Sequence, residues 1–242
     1  MPKNSPFPGF APAGLSFLRA LRRNNNREWF LAHKEEYERH VREPMTALVL
    51  ALGEELRLIA PELWTDPSRA IYRVYRDIRF SPDKTPYKTH AAVLFSVEGL
   101  PKHTCGSLYF QISPEAVEIA GGVYMPGPTE LLAIRNHIAE NHHVLRKILA
   151  DRKLKSLFGG LWGEQLTRVP KGFPVDHPAE DLLRYKQWLV DRELPSKLAL
   201  EPQLYEVLVE SFRVMTPLVR FLNVPLCGRL NREQGLFPTE GE

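Results

Sequence analysis

Residues 70–80 read Ala-Ile-Tyr-Arg-Val-Tyr-Arg-Asp-Ile-Arg-Phe, and here the spacing of apolar residues changes from helical to alternating. Alternation with a period of two is typical of a half-buried β-strand. It continues to about residue 125, with turn residues between the apolar runs. The pattern predicts strands at 70–80, 89–96, 107–112 and 116–125. Because these strands follow one another without intervening helices, we expect an antiparallel meander.

Helical periodicity flanks this region on both sides. Helices are predicted after residue 13, from Arg27, and between Pro44 and Pro61. Two more follow the Pro-Gly-Pro sequence at 126–128, the first of them capped by Thr129. The C-terminal part predicts a short helix at 179–185, a strand at 187–193 and a helix at 202–222 that Pro217 kinks. The fold class is therefore α+β, a mainly antiparallel sheet of about four or five strands flanked by N-terminal, middle and C-terminal helices.

Length and composition indicate a globular protein. The chain has 242 residues, of which 43% are hydrophobic and 25% are charged. Its apolar runs are too short to span a bilayer, and its first residues lack the pattern of a secretory signal, so we expect a cytoplasmic protein. In that compartment Cys105 and Cys227 are expected to stay reduced. We predict a flexible N-terminal arm at 1–13, a single domain at 14–225 and a C-terminal tail at 226–242.

The positive charge of the chain is concentrated in residues 69–88. The whole chain has a formal net charge of +3, whereas this segment alone carries six cations against two carboxylates. A local excess of this kind favours a discrete anionic partner over general attraction to polyanions. The charged residues are Arg69, Arg73, Arg76, Arg79, Lys84 and Lys88, with Asp77 and Asp83.

On a strand, these residues divide between two faces. The face of Tyr72, Val74 and Ile78 is apolar except for Arg76, which needs a partner because a desolvated lone charge is costly. The other face carries Arg73 and Arg79, and the proline-flanked turn at 81–86 adds further cations. We predict a site for a phosphate- or carboxylate-bearing small molecule in which Asp77 or Asp83 orients the arginines or acts as acid or base. Its predicted ligand-binding residues are Arg73, Arg76, Arg79, Lys84, Tyr87 and Lys88, and Lys171 is expected to contribute from the long loop at 156–178.

Two other functions fit the same residues. Nucleic acid could bind through the basic segment, with Tyr72, Tyr75 or Tyr87 as stacking surfaces. Alternatively, the segment is structural, with Arg76 paired to Asp77 or Asp83, and the protein is an interaction module without a ligand. Charge pattern alone leaves the three hypotheses open, and with them the question of whether the protein is an enzyme.

Common catalytic and cofactor motifs are missing from the sequence. It has no phosphate-binding P-loop, no dinucleotide-binding glycine fingerprint and no nucleophile elbow. Histidines near residues 103, 137, 142 and 177 lack the spacing of recognised metal sites. We therefore expect neither a cofactor nor a metal.

The run Arg-Asp-Ile-Arg-Phe-Ser-Pro-Asp-Lys-Thr-Pro-Tyr-Lys at 76–88 resembles the signature of a bacterial and fungal protein family, domain of unknown function 2461. Residues 24–30, 121–126 and 168–174 agree with the same family. The resemblance spans about residues 14 to 225. It implies one domain in which the 76–88 run is important, and it implies no particular reaction, cofactor or catalytic residue.

Overall fold

The computed structural model describes residues 5–63, 65–97 and 102–234, the last seven without their side chains. The helices are α1 Pro12–Arg23, α2 Arg27–Ala32, α3 Lys34–Tyr37, α4 Glu43–Ile59, α5 Pro67–Ala70, α6 Pro128–Leu149, α7 Arg152–Phe158, α8 Glu180–Leu183 and α9 Gln203–Gln234. A π-helical turn, Glu38–Arg42, joins α3 to α4, and a 3₁₀ turn, Ser196–Leu200, precedes α9. The strands are β1 Ala91–Ser96, β2 Ser107–Ile112, β3 Ala116–Val123 and β4 Trp188–Pro195.

The predicted α+β class is confirmed. The four strands form one antiparallel sheet in the order β1-β2-β3-β4, so each strand lies beside the next one along the chain. Strand β2 has the predicted bounds, and β1, β3 and β4 lie within two residues of theirs. No helix in the described part of the chain is long and apolar enough to cross a membrane.

The strand predicted at 70–80 is wrong. Ala70 ends helix α5, and the residues after it make only isolated bridges, Ile71 to Val93 and Tyr75 to Tyr87. The segment changes partner along its length, because Tyr72 N–H donates to Ala92 O whereas Arg76 N–H donates to Pro86 O. Because Pro86 has no N–H, it cannot donate a hydrogen bond back to Arg76 O, and the pairing of this segment with residues 86–88 cannot continue as a strand ladder. The predicted alternation survives in part: residues 73, 75, 77 and 79 are exposed, but Phe80, predicted to face the core, is 92% exposed.

Two helix boundaries also differ from the predictions. Helix α6 begins at Pro128 with Gly127 as its N-cap, so Thr129 lies inside the helix, where Pro128 supplies the favoured first residue. The two helices predicted there are present as the two parts of α6, which are separated by a kink at Asn141, where the backbone angles are non-helical. Helix α9 continues beyond residue 222 to Gln234, into the segment predicted as a tail.

Residues 5–11 differ from the loose arm that was predicted. Phe7 and Phe10 are buried and pack edge to face, with ring centroids 5.3 Å apart. The Phe10 N–H donates to Ala199 O in the 3₁₀ turn (2.8 Å). Two aromatic rings therefore anchor this segment to the chain immediately before α9, because burying them removes a large apolar area from water.

Backbone contacts divide the chain into two compact units. Unit 1 comprises Met1–Phe95, Tyr109–Ile119 and Arg192–Phe212, and unit 2 comprises Ser96–Leu108, Ala120–Asp191 and Arg213–Glu242. Helices α1 to α5 belong to unit 1, and α6 to α8 belong to unit 2. The predicted boundaries of a single domain stay a prediction.

Gly122 marks a close approach of two backbones in unit 2. Its φ of +129° lies in the region that residues with a side chain rarely adopt, and a Cβ placed there would lie 2.0 Å from Trp188 O. Trp188 is itself fully buried, and its indole N–H donates to Leu182 O. Glycine at 122 is thus required where β3 meets β4.

Replacing Gly122 with Ala should therefore destabilise the protein by about 3 kcal/mol or more, through backbone strain and overpacking. The matched control is Gly160→Ala, since a Cβ at residue 160 would meet nothing within 4 Å. Urea denaturation of both variants measures the difference, and equal stability of the two would contradict the close approach.

Candidate functional site

Tyr87 anchors the basic segment to an aromatic cluster in unit 1. Its ring is 3% exposed and stacks on Phe30 of α2, with centroids 4.1 Å apart and planes at 23°. Tyr75 lies on the other side, 5.4 Å from the Tyr87 centroid, and Tyr37 packs on Phe30 at 5.5 Å. Burial raises the pKa of Tyr87, and it raises the pKa of Tyr37 to about 12. These aromatic rings therefore form the buried surface on which residues 75–87 pack.

The Asn25 side chain forms hydrogen bonds with both the C=O and the N–H of Tyr87. Its side-chain Nδ2 donates to Tyr87 O (2.9 Å), and its Oδ1 accepts from the Tyr87 N–H (3.0 Å). The neighbouring Asn26 caps helix α2 by accepting from the Trp29 N–H (2.9 Å). The Asn-rich sequence at 24–26 and the signature run at 76–88 therefore meet at this point.

The turn after Phe80 is organised by the carboxylate of Asp83. Asp83 Oδ1 accepts from the Thr85 N–H (2.9 Å), and Oδ2 accepts from Thr85 Oγ1 (3.0 Å) and from Arg76 Nη1. The Thr85 N–H is the main cause that lowers the pKa of Asp83 to about 2, with the Arg76 guanidinium next. Asp83 thus acts as the centre of an ordered turn.

Arg76 and Lys84 are bound within this turn. The Arg76 side chain is 26% exposed and donates to Asp83, to Thr85 Oγ1 and to Thr85 O (3.2 Å). Lys84 Nζ donates to Ile78 O (2.9 Å). These contacts supply the partner that the sequence required for an arginine on the apolar face. Both cations hold the turn against the extended segment that precedes it.

The exposed side of the segment carries a second, separate ion pair. Asp77 accepts from Arg79 Nε (3.0 Å) and Nη2 (2.7 Å), and also from the Arg79 N–H (3.2 Å). The Arg79 side chain is the main cause that lowers the pKa of Asp77 to about 2. Arg73 is close enough to contribute to the same lowering, and it is exposed. Arg73 forms no salt bridge with any residue in the described ranges.

We call this exposed group the arginine patch; it comprises Arg27, Arg73, Tyr75, Asp77 and Arg79. Arg27 of α2 is included because it is close enough for its charge to oppose in part the rise that burial causes in the pKa of Tyr87, whose ring lies beside Tyr75. The Tyr75 side chain is 49% exposed. The patch thus contains three guanidinium groups and the accessible phenol of Tyr75. One of the guanidinium groups, that of Arg79, is paired with Asp77.

Lys88 lies on the opposite side of the segment from Arg73. Its Nζ is 4.6 Å from the centroid of the Tyr72 ring, which contacts Tyr109 of β2 edge to face at 6.5 Å. Burial raises the pKa of Tyr72 to about 12. Tyr109 begins a chain of hydrogen bonds, because its hydroxyl donates to Gln111 Oε1 and Gln111 Nε2 donates to Glu118 Oε1, both at 2.6 Å. Polar residues at alternate positions of β2 are the only mark of these hydrogen bonds in the sequence, and alternation alone does not indicate which residues they bond to.

The structure thus divides the predicted site residues into four groups. Arg73 and Arg79 share the arginine patch with Asp77. Arg76, Lys84 and Tyr87 are engaged in the turn and the aromatic cluster together with Asp83, and Lys88 covers Tyr72. Lys171 is exposed in a turn of unit 2, and its contribution stays a prediction. In the described ranges, no three or more His, Cys, Asp or Glu side chains are grouped so that they could hold a metal ion.

Comparison with models of known protein families shows a match. The model of a family of conserved hypothetical proteins, DUF2461, matches residues 13–221. No curated protein matches the chain significantly. The matched range includes every residue of the arginine patch and of the turn.

Replacing Asn25 with Ala should lower the free energy of unfolding by about 2 to 4 kcal/mol, because the backbone N–H and C=O of the buried Tyr87 would both lose their partner. Asn24→Ala is the matched control: Asn24 is exposed and its side chain donates only to Ala20 O in its own helix. Urea denaturation measures both variants. Equal losses would contradict a special role for Asn25.

Stability should fall in acid because of Asp77 and Asp83. Their pKa values of about 2 lie below the ordinary 3.8, so their contribution is present above about pH 4 and is lost as the pH falls towards 2. The Asp83→Asn variant should show a smaller loss of stability between about pH 4 and pH 2 than the wild type. Asp176→Asn, which removes an exposed carboxylate of unit 2, serves as the control. An unchanged acid dependence in Asp83→Asn would show that the turn does not hold this carboxylate.

Proposed function

Because the chain belongs to the DUF2461 family of conserved hypothetical proteins, whose description names no activity, we propose a function from its geometry: the arginine patch binds a small molecule that carries a phosphate or carboxylate group. Guanidinium forks match the geometry of these anions and bind them through paired hydrogen bonds. The proposal concerns binding, and it assigns no reaction to the site.

The observation that carries the proposal is the exposed Arg73 beside an already neutral Asp77–Arg79 pair. The Asp77 carboxylate is engaged by three donors of Arg79. It therefore offers little to Arg73, which has no salt bridge among the described residues. A cation in this position adds an attractive potential for an incoming anion without a competing carboxylate.

Each residue of the patch has a distinct proposed role. Asp77 fixes the plane of the Arg79 guanidinium, which reduces the entropy that Arg79 loses on binding. Arg73 and Arg27 supply positive charge that attracts the anion, and the Tyr75 hydroxyl supplies a neutral hydrogen-bond donor. Arg76, Lys84 and Lys88, which were expected to touch the ligand, have other partners, and the proposal gives them a supporting role.

Binding of a small molecule accounts for this surface better than binding of nucleic acid does. Of the three tyrosines proposed as stacking surfaces, Tyr75 is half exposed, Tyr87 is buried and Tyr72 is partly covered by Lys88. A single accessible ring provides little of the repeated stacking that single-stranded nucleic acids use. We further propose a cytoplasmic location, where the buried Cys105 and Cys227 are expected to stay reduced.

A thermal-shift screen tests the proposal. The probes are inorganic phosphate, glycerol 3-phosphate, citrate and a single-stranded oligonucleotide. A probe at about a hundred times its dissociation constant should stabilise the wild type by about 2.7 kcal/mol, which raises Tm by about 5 to 10 °C. Arg73→Gln and Arg79→Gln should weaken binding of that probe by about tenfold or more, because each loses a charge-assisted hydrogen bond.

The matched control is Arg57→Gln, since Arg57 is also exposed and also pairs with a nearby carboxylate, that of Glu54 (2.9 Å). Equal shifts in all three variants would contradict binding at the arginine patch. A shift with the oligonucleotide alone, and one that falls steeply with salt, would favour nucleic acid instead.

A further inference from the structure

A cleft of about 430 Å³ lies in unit 2, between α6, α7, α8 and the chain that joins α7 to α8. This volume is in the range of pockets that bind small molecules. Leu149, Leu161 and Leu182 give it apolar walls. Its charged lining consists of Arg146, Lys155, Asp181 and Arg184.

One of the three cations in the cleft is already neutralised. Arg146 Nη2 and Nη1 donate to the two carboxylate oxygens of Asp181, at 2.7 and 3.3 Å, and Nη2 also donates to Pro178 O (2.8 Å). This bidentate pair joins α6 to α8. It leaves Lys155 and Arg184 as the charges of the cleft.

Neither Lys155 nor Arg184 forms a salt bridge with a residue in the described part of the chain. The Nε atom of Arg184 is buried and has no hydrogen-bond partner among those residues. Buried N–H groups in folded proteins are normally hydrogen-bonded, because an unpaired buried donor is costly. Arg184 also lines the cleft, so an anion bound there would neutralise a guanidinium that has no carboxylate partner among those residues.

The backbone around Arg184 is fixed from α6. The buried side chain of Arg135 donates from Nε to Leu183 O (2.9 Å) and from Nη2 to Tyr185 O (3.0 Å). The Leu166 N–H donates to Arg184 O (2.8 Å). Hydrogen bonds thus hold the carbonyl groups of three consecutive residues, so that Arg184 projects from a rigid backbone. Rigid support of this kind is characteristic of a preorganised binding site.

We propose that this cleft binds a small molecule that carries a phosphomonoester group. Lys155 and Arg184 together supply two positive charges, which match the charge of about −1.5 to −2 on a phosphomonoester at neutral pH. The three leucines contact the apolar part of the same molecule. The cleft shares no residue with the arginine patch, so the two proposals stand independently.

Calorimetric titration with glycerol 3-phosphate tests the proposal. The wild type should bind with a dissociation constant in the millimolar range or tighter. Lys155→Gln and Arg184→Gln should each weaken binding by about tenfold or more. Lys186→Gln is the matched control, because Lys186 carries the same charge two residues from Arg184 but pairs with Glu164 and does not line the cleft. Lys186→Gln should leave this binding unchanged.

Absence of saturable binding to the wild type would overturn the proposal, and so would wild-type affinity in both Lys155→Gln and Arg184→Gln. Succinate binding as tightly as glycerol 3-phosphate would overturn the assignment of a phosphate ligand. Lys155→Gln keeps the test decisive if Arg184→Gln folds poorly, since the Lys155 side chain is exposed. Circular dichroism confirms the fold of each variant before titration.

Discussion

Two hydrogen bonds between the Asn25 side chain and the Tyr87 backbone fix the position of the basic segment. The segment has no regular strand of its own, because its first residues pair with β1 and its later ones with residues 86–88. Side-chain hydrogen bonds therefore hold this segment in position, whereas continuous backbone hydrogen bonding holds the strands of the sheet. The ring of Tyr87 on Phe30 adds apolar burial to the same anchor. The Asn25 and Phe30 contacts of Tyr87 therefore hold in place the segment that carries the arginine patch.

Residues 73–88 combine side chains that hold the turn together with side chains that are exposed to solvent. Arg76, Asp83 and Thr85 satisfy one another inside the turn. The Asp77–Arg79 pair and Arg73 lie on the exposed side, where solvent screening makes an ion pair contribute little to stability. Our proposal of a ligand uses these exposed arginines, which contribute little to the stability of the fold. A single short run of sequence can therefore serve both purposes.

Local pattern predicted much of the fold and less of the site. The bounds of β2 and the exposed alternation at 73–79 follow from a period of two, which neighbouring residues determine. The break after Ile71 depends on which strands lie beside it, and the Asn25–Tyr87 contact joins residues 62 positions apart. Neither is encoded in local spacing. The cleft around Arg184 depends on Arg135, 48 residues before the Leu183 carbonyl that it binds, and no motif marks it.

Amide hydrogen exchange of Tyr87 tests most directly whether the Asn25 contact orders the basic segment. Because the Tyr87 N–H is bonded to Asn25 Oδ1 within a buried residue, its exchange should require a free energy close to that of global unfolding. The N–H groups of the buried strand β2 provide the reference on the same sample. Protection of Tyr87 similar to that of β2 would support the account. Exchange at the rate of an unstructured peptide would show that the segment opens independently of the aromatic cluster, and would contradict it.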